Sequence, residues 1–434
     1  MLDLEFIRKN SARVKEAISE KGIDLELDEF LQIDSKRRSL IAEIDELRQQ
    51  QNAFNKKVVS LSGDKKAQAV GGMKTLAQDL KAAEKQLKEV EHQWLSLYLL
   101  IPNLPAKDVP VGDENANREV SKWGKLPKFD FKPKSHVELA EKHNLVDFTR
   151  GAKVSGFRGY YLKNEAALIQ MAIMMHAINR MRSQGFELMI PPTILKDFAL
   201  IGSGHFPFMK EDIYELANVG KDESGKQVGE SLYLSGTSEP ALLAYFADTT
   251  LLEENLPVKV CGFSQCYRNE VGSYGKDTKG LYRLHEFMKV EQVVLCRADE
   301  KESDEWLEKL RKNSELVLRD LGLPYRVVMM STGEMGAGKR KMYDIETWMP
   351  SRDSYGETHS DSNLTDWQPR RLNIKYQSST GEKKYVYALN NTVIASPRIL
   401  IAILENFQNK DGTIDVPKVL FPYCGLSRIG SVKK

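Results

Sequence analysis

The chain has 434 residues, of which 41% are hydrophobic and 29% charged, with a formal net charge of +2. That length holds two or three domains with a sizeable core, and the near-balance of charge excludes a uniformly basic surface, so any nucleic-acid contact must come from local patches. Four scattered cysteines exclude a disulfide framework, and no run of about 18 apolar residues is present to span a membrane.

The first ten residues, MLDLEFIRKN, are acidic and lack an apolar core, so neither a signal nor a transit peptide is expected. One short amphipathic helix is predicted over Leu4 to Glu20, ended by Gly22. From about Phe30 the apolar positions Leu40, Ile44, Leu47, Phe54, Val58 and Leu61, with Gln51 as the one polar member, follow a 4–3 alternation. The same spacing returns at Leu76, Leu80, Ala83, Leu87, Val90, Trp94, Leu97 and Ile101. Heptads sustained this long predict a coiled coil. Ser62-Gly63-Asp64 and then Gly71-Gly72 lie between the two runs and supply the reversal, so the helices must be antiparallel. Each would extend roughly 45 Å at 1.5 Å per residue, an arm reaching well beyond a globular body. Lys56, Lys57, Lys65, Lys66 and Lys74 gather at the turn end against Asp64, which suits either a solvated tip or a phosphate-contacting one.

Three prolines and a polar tail in residues 101–120 read as a linker. The predicted division is an N-terminal domain over 1–106 with the arm at about 30–100, a linker over 107–120 and a body over 121–434. Strand-like runs at Val258–Gly262, Tyr282–Leu295, Arg326–Met330 and Lys384–Ala388, without strict strand–helix alternation, make that body α+β with an antiparallel sheet.

Residues 261–292 carry the most chemistry. Arg268 and Glu270 precede a polar turn at Gly272–Gly280, and Arg283, His285, Phe287, Lys289 and Glu291 alternate after it. Period two on both sides of a turn predicts a hairpin whose odd residues share one face. A face mixing Arg, Phe and Glu can clamp phosphate, stack a base and hold an ammonium group. Upstream, SGTSEPALLAYFAD (235–248) places Thr237 and Glu239 at a helix start, where they serve as a cap or line a pocket. Residues 331–348 nearly spell a P-loop, but Arg340 stands where Ser or Thr must hold magnesium, and Lys341 to Trp348 reads as a strand. In SYGETHSDSNLTDWQPRR (354–371), acids interleave with hydroxyls, as in a polar turn or a magnesium–phosphate contact. In ALNNTVIASPRILIAILENFQ (388–408), Arg398 stands at the N-terminus of an apolar helix, a position suited to an anion.

In this order these segments resemble the motifs of class II aminoacyl-tRNA synthetases, and within that class the seryl-tRNA synthetase family. Residues 261–292 resemble motif 2, the segment around Arg398 resembles motif 3, and Pro192 in GFELMIPPTIL (185–195) stands where the motif 1 proline lies. The resemblance implies a coiled-coil arm followed by a class II antiparallel-sheet catalytic domain, cytoplasmic and homodimeric through motif 1. It implies that L-serine and ATP form an adenylate and that serine passes to tRNA(Ser), with tRNA(Sec) a further substrate where present. For ATP it implies Arg268, Glu270, Arg283, Phe287, Glu357, Ser360 and Arg398, with Mg2+ on Glu357 and Ser360. For serine it implies Thr237, Glu239, Arg268, Glu291, Asn390 and Thr392, and for catalysis Arg268 and Arg398. No zinc is expected. The chain departs from the family pattern at Asn391 and Pro397, where glycines are usual. A paralogue charging a carrier protein would not need the arm, and a non-catalytic RNA-binding one would not need Arg268, Arg398 and Glu357.

Overall fold

A computed structural model describes residues 1–58, 63–217, 220, 223–224, 229–270 and 280–430, with no side chains given at 57, 58 and 65–70. The predicted turn at 272–280 apart from Gly280, Ser62 and Leu61, and the side chains of Lys57, Val58, Lys65 and Lys66 lie outside the described residues. The chain forms two compact units, Met1–Pro102 and Asn103–Lys434.

In the first unit the predicted opening helix is two. Helix α1, Leu4–Lys9, is capped by the Asp3 carboxylate, which accepts from the backbone N–H of Glu5 and Phe6. Asn10, at φ −125° and ψ 36°, breaks the helix before α2, Ser11–Glu20. Helices α3, Leu27–Val58, and α4, Gly63–Tyr98, form the coiled coil. Gly71 and Gly72 lie inside α4, so they do not form the predicted reversal. A double glycine costs helix propensity without forbidding the helix, and the heptad seam on either side carries it through. Leu40, Ile44, Leu76, Ala83 and Val90 are buried in that seam. Arg37–Glu91 at 3.1 Å and Arg48–Glu84 at 2.8 Å set the antiparallel register. At the base, buried Asp34 accepts from Arg8 Nε at 2.8 Å and Nη2 at 2.9 Å, and from Trp94 Nε1 at 3.1 Å.

The second unit is built on an eight-stranded sheet: β1 Arg118–Trp123, β2 Glu187–Met189, β3 Val258–Tyr267, β4 Glu286–Cys296, β5 Tyr325–Met329, β6 Lys341–Met349, β7 Ser354–Thr365 and β8 Tyr387–Ser396. Their spatial order is β1-β5-β6-β7-β8-β4-β3-β2, antiparallel except for the β3–β2 pair. Two of the central strands go beyond the sequence reading. Residues 354–365, left open between a polar turn and a magnesium–phosphate contact, form β7, and the strand-like run ending at Ala388 runs into a longer strand, β8, that continues to Ser396. Both carry polar residues on both faces, which hides the alternation that marks a half-buried strand.

Helices α5 Asn164–Ser183, α6 Glu300–Leu321 and α7 Arg398–Asn406 cover one face of the sheet. Val290, Val294, Leu389, Val393, Tyr343 and Ile345 pack there with their apolar sides to form the main core. The neighbouring residues in each strand point the other way, and they line the cavity described next. Asn103, at the start of this unit, donates its side-chain amide to the Gly338 and Leu364 carbonyls at 3.0 and 2.8 Å, so the proline-rich stretch begins tied to the body.

Candidate active site

A cavity of about 350 Å³ opens on the uncovered face of the central strands. Phe287, Lys289 and Glu291 enter it from β4, Asn390 and Thr392 from β8, and Glu357 and Ser360 from β7. Arg268 and Glu270 enter just past β3, Thr237 and Glu239 from the start of the helix Glu239–Ala244, and Arg398 from the first residue of α7. Eleven of the twelve sequence-predicted residues, lying between Thr237 and Arg398, thus meet, together with Lys289. Arg283 does not line the cavity: β4 begins at Glu286, so Arg283 and His285 precede the strand and leave its alternation. Arg283 instead donates through Nη1 to Glu270 at 3.0 Å.

At one end, Glu239 Oε1 accepts from Gln368 Nε2 at 2.6 Å and from Asn390 Nδ2 at 2.8 Å. Burial raises the Glu239 carboxyl above its ordinary value, against the Gln368 hydrogen bond. Glu291 is in contact with the Lys289 ammonium and accepts from Thr392 Oγ1 at 3.2 Å. Burial raises this carboxyl too, and Lys289 offsets part of the rise. The result is a small polar recess with acceptor and donor groups on facing walls.

At the other end, Arg398 donates to the Tyr282 carbonyl at 3.1 Å and the Glu357 carbonyl at 3.0 Å, with its guanidinium 4.5 Å from the Tyr282 ring centroid. Burial works to raise the Glu357 carboxyl, but the Arg398 and Arg268 cations overcome it and hold it low. Arg268 donates to the Gly236 carbonyl at 3.2 Å and lies 5.4 Å over the Phe287 ring. Four cationic side chains, Arg268, Lys289, Lys339 and Arg398, therefore face one cavity, a field suited to an anionic ligand.

Several lining residues escaped sequence reasoning. Lys339 lies in the rejected P-loop look-alike; the segment does precede strand β6, as the rejection assumed, yet its lysine reaches the cavity. His205 lines it too, and burial followed by the Arg268, Lys289 and Lys339 cations pushes it down to about 3, which keeps it neutral. Buried Asp344 stands opposite Ser360 across the β6–β7 pair, and its Oδ1 meets no hydrogen-bond partner among the described residues. Burial, then the Glu357 charge, raises it well above the usual carboxylate range. Glu357 and Ser360 line the cavity with hard-oxygen donors of the kind that would hold a divalent cation, and the orphaned Asp344 Oδ1 lies on the strand beside Ser360.

Asn391 turns away from the cavity. It is fully buried on the helix-covered face, where its Oδ1 accepts from Gln292 Nε2 at 2.7 Å and from the Ser314 hydroxyl. Pro397 lines the cavity directly before Arg398.

An antiparallel sheet whose open face gathers motif 2 and motif 3 arginines defines a class II aminoacyl-tRNA synthetase core, and residues 221–407 match the model of the tRNA synthetase class II core domain (G, H, P, S and T). Residues 1–105 match the seryl-tRNA synthetase N-terminal domain. The serine–tRNA ligase of Deinococcus radiodurans is 45% identical over 98% of both chains. The seryl-tRNA synthetase from Pyrococcus horikoshii, solved in complex with ATP, superposes with a TM-score of 0.89 at 37% identity, covering 100% of each chain. The cytoplasmic serine–tRNA ligase of Naegleria fowleri, solved with AMP, gives 0.84 at 29% identity, covering 99% of this chain and 98% of that one. The chain belongs to the seryl-tRNA synthetase family and is a serine–tRNA ligase of class II.

Proposed function

We propose that this enzyme joins L-serine to ATP as a seryl-adenylate and passes the seryl group to the terminal ribose of tRNA(Ser), and of tRNA(Sec) where that tRNA is present. The observation that carries the reading is the gathering of Arg268, Lys289 and Arg398 around one cavity that also holds the carboxyls of Glu239 and Glu291. A carboxylate attacking the α-phosphate brings two anions together, so the site must neutralise charge and hold the reactants aligned.

In this reading Arg268 bridges the α-phosphate and the serine carboxylate, and Arg398 takes the γ-phosphate end, with Arg283 reaching it by leaving Glu270. Phe287 stacks on adenine, and Glu270 accepts from its amino group. Magnesium held by Glu357 and Ser360 would supply the remaining charge neutralisation when bound. Glu291, Thr237, Glu239, Asn390 and Thr392 hydrogen-bond the serine, rejecting alanine because its loss of a hydroxyl leaves buried polar groups unpaired.

The first unit, with its arm, is the tRNA-binding part. The working species is a homodimer. Supporting that, α5 exposes Leu168, Met171 and Met175 at helical spacing, and Ile190, beyond the β2 strand near Pro192, is 79% exposed. No helix of the described residues is long and apolar enough to cross a membrane, and the enzyme works in the cytoplasm, where its tRNA and ATP are.

ATP–pyrophosphate exchange measured across the twenty amino acids tests this reading. Serine should support exchange without tRNA, and greater exchange with threonine or alanine would overturn the assignment.

A further inference from the structure

Helix α7 grips the chain just ahead of β4 at two points. At its first residue, Arg398 Nε holds the Tyr282 carbonyl at 3.1 Å. Near its other end, the fully buried Glu405 takes three N–H groups. Its Oε1 accepts from the backbone N–H of His136 and from the ring Nδ1 of the same residue, both at 2.9 Å. Its Oε2 accepts from the Ser351 N–H at 3.0 Å. The other ring nitrogen, His136 Nε2, lies 3.1 Å from the backbone N of Leu281.

The partners assign the tautomer. A backbone N–H only donates, so Nε2 must be the acceptor and the ring proton sits on Nδ1, where it is donated to Glu405. Gly280 supports the same geometry independently. Its φ is +79°, and a Cβ added there would fall 2.1 Å from His136 Nε2 and 2.9 Å from Val137. The chain therefore runs against the imidazole more closely than any side chain permits.

We propose that His136 is a positioning residue for the adenylation site. It relays the anchorage of Glu405 to the Leu281 N–H and so holds residues 281–282 where Tyr282 presents its carbonyl and ring to Arg398. His136 does not line the cavity; it acts through Tyr282 and Arg398. One helix thereby sets both Arg398 and the segment that Arg398 must meet, and a loosened 281–282 segment would let the guanidinium swing away from a phosphate. The inference rests on the adenylation reading given above.

The two hydrogen bonds of the ring can be separated. His136→Gln keeps an acceptor near the Nε2 position but loses the donor to Glu405, whereas His136→Asn keeps the donor and is too short to reach Leu281. Gly280→Ala drives a methyl group against His136 Nε2 and parts Leu281 from the ring, with the His136 and Glu405 side chains both retained. In serine-dependent ATP–pyrophosphate exchange, His136→Asn and Gly280→Ala should lose about tenfold to a hundredfold in kcat with little change in the serine KM. His136→Gln should keep most of its turnover. Thermal melts of the two His136 variants should be similar, since each loses one hydrogen bond.

Equal activity of the Asn and Gln variants, tracking their melting temperatures, would reduce His136 to a structural tie and overturn the proposal. If His136→Asn does not fold, Gly280→Ala decides alone: wild-type turnover in that variant overturns the relay. Absence of serine-dependent exchange in the unmodified enzyme would instead overturn the adenylation reading itself.

Discussion

Arg398 Nη1 lies 3.3 Å from Glu357 Oε2, so the guanidinium proposed for the γ-phosphate and the carboxylate proposed for the cation neutralise each other across the mouth of the cavity. Nucleotide and metal together would replace that pair with matched partners of their own. Arg268 stands differently, hydrogen-bonded through Nε to a carbonyl and lying over Phe287.

Arg268→Ala should accordingly lower the turnover of serine-dependent exchange by about a hundredfold to a thousandfold, with a far smaller change in serine KM, because its contact strengthens as charge redistributes at the α-phosphate. Arg268→Lys should not restore it, since an ammonium cannot make paired contacts to phosphate and carboxylate. Steady-state exchange kinetics check both statements, and a variant retaining most of its turnover would refute the assigned role.

Glu291→Gln should raise the serine KM and leave the ATP KM nearly unchanged. The amide keeps the side chain's volume beside Lys289 and Thr392 but removes the charge that the buried ammonium balances and one acceptor for the substrate. A rise of about tenfold is expected for one charged hydrogen bond. An effect confined to ATP would place serine elsewhere.

Asn391→Gly, which introduces the residue usual at this position in the family, should destabilise this chain by about 1–2 kcal/mol, since it leaves one Gln292 N–H without its acceptor in a buried layer opposite Asp361, while the Ser314 hydroxyl keeps the Thr392 carbonyl at 2.9 Å. Serine KM should change little, because Asn391 faces α6 rather than the cavity. Denaturant unfolding alongside exchange kinetics separates the two effects.

Burial works to raise Asp34, but the Arg8 hydrogen bonds and charge dominate and hold it below its ordinary value of 3.8. A carboxyl depressed in the folded state stabilises at pH values above its unfolded value, and that contribution disappears as pH falls through the lower, folded one. Asp34→Asn should therefore cost about 2 kcal/mol at neutral pH. The difference from the unmodified chain should shrink as pH drops below 3.8. Melts of the full chain followed by circular dichroism, at neutral and acidic pH, test this.

Removal of residues 45–86, with a short Gly linker joining α3 to α4, keeps the Arg8–Asp34–Trp94 base and the Arg37–Glu91 pair. Exchange should be nearly intact, while aminoacylation falls and tRNA binding loses much of its salt dependence. Equal loss of both activities would contradict a separate tRNA-binding arm.

The coiled coil was legible from sequence because its stability lies in a one-dimensional repeat. Leu40, Ile44, Leu76, Ala83 and Val90 are spaced for one seam, and those positions are the buried ones. The face shared by Phe287, Lys289 and Glu291 was legible for a similar reason, since alternation along one strand needs no knowledge of its neighbours. The double glycine misled because a local breaker was weighed without the long-range seam that overrides it. Strand β7 and most of β8 stayed hidden because the sheet is polar on both faces there: Ser360 and Thr392 turn to the cavity while Asp361 and Asn391 turn to α6. Burial of such groups is tolerated only when hydrogen-bond partners are brought from far along the chain, such as Gln292 and Ser314 for Asn391. The same holds for the parts of the site that sequence missed. Lys339, His205, Asp344 and the Glu405–His136–Leu281 relay carry no local signature, because each acquires its role from residues tens to hundreds of positions away that only tertiary folding sets beside it.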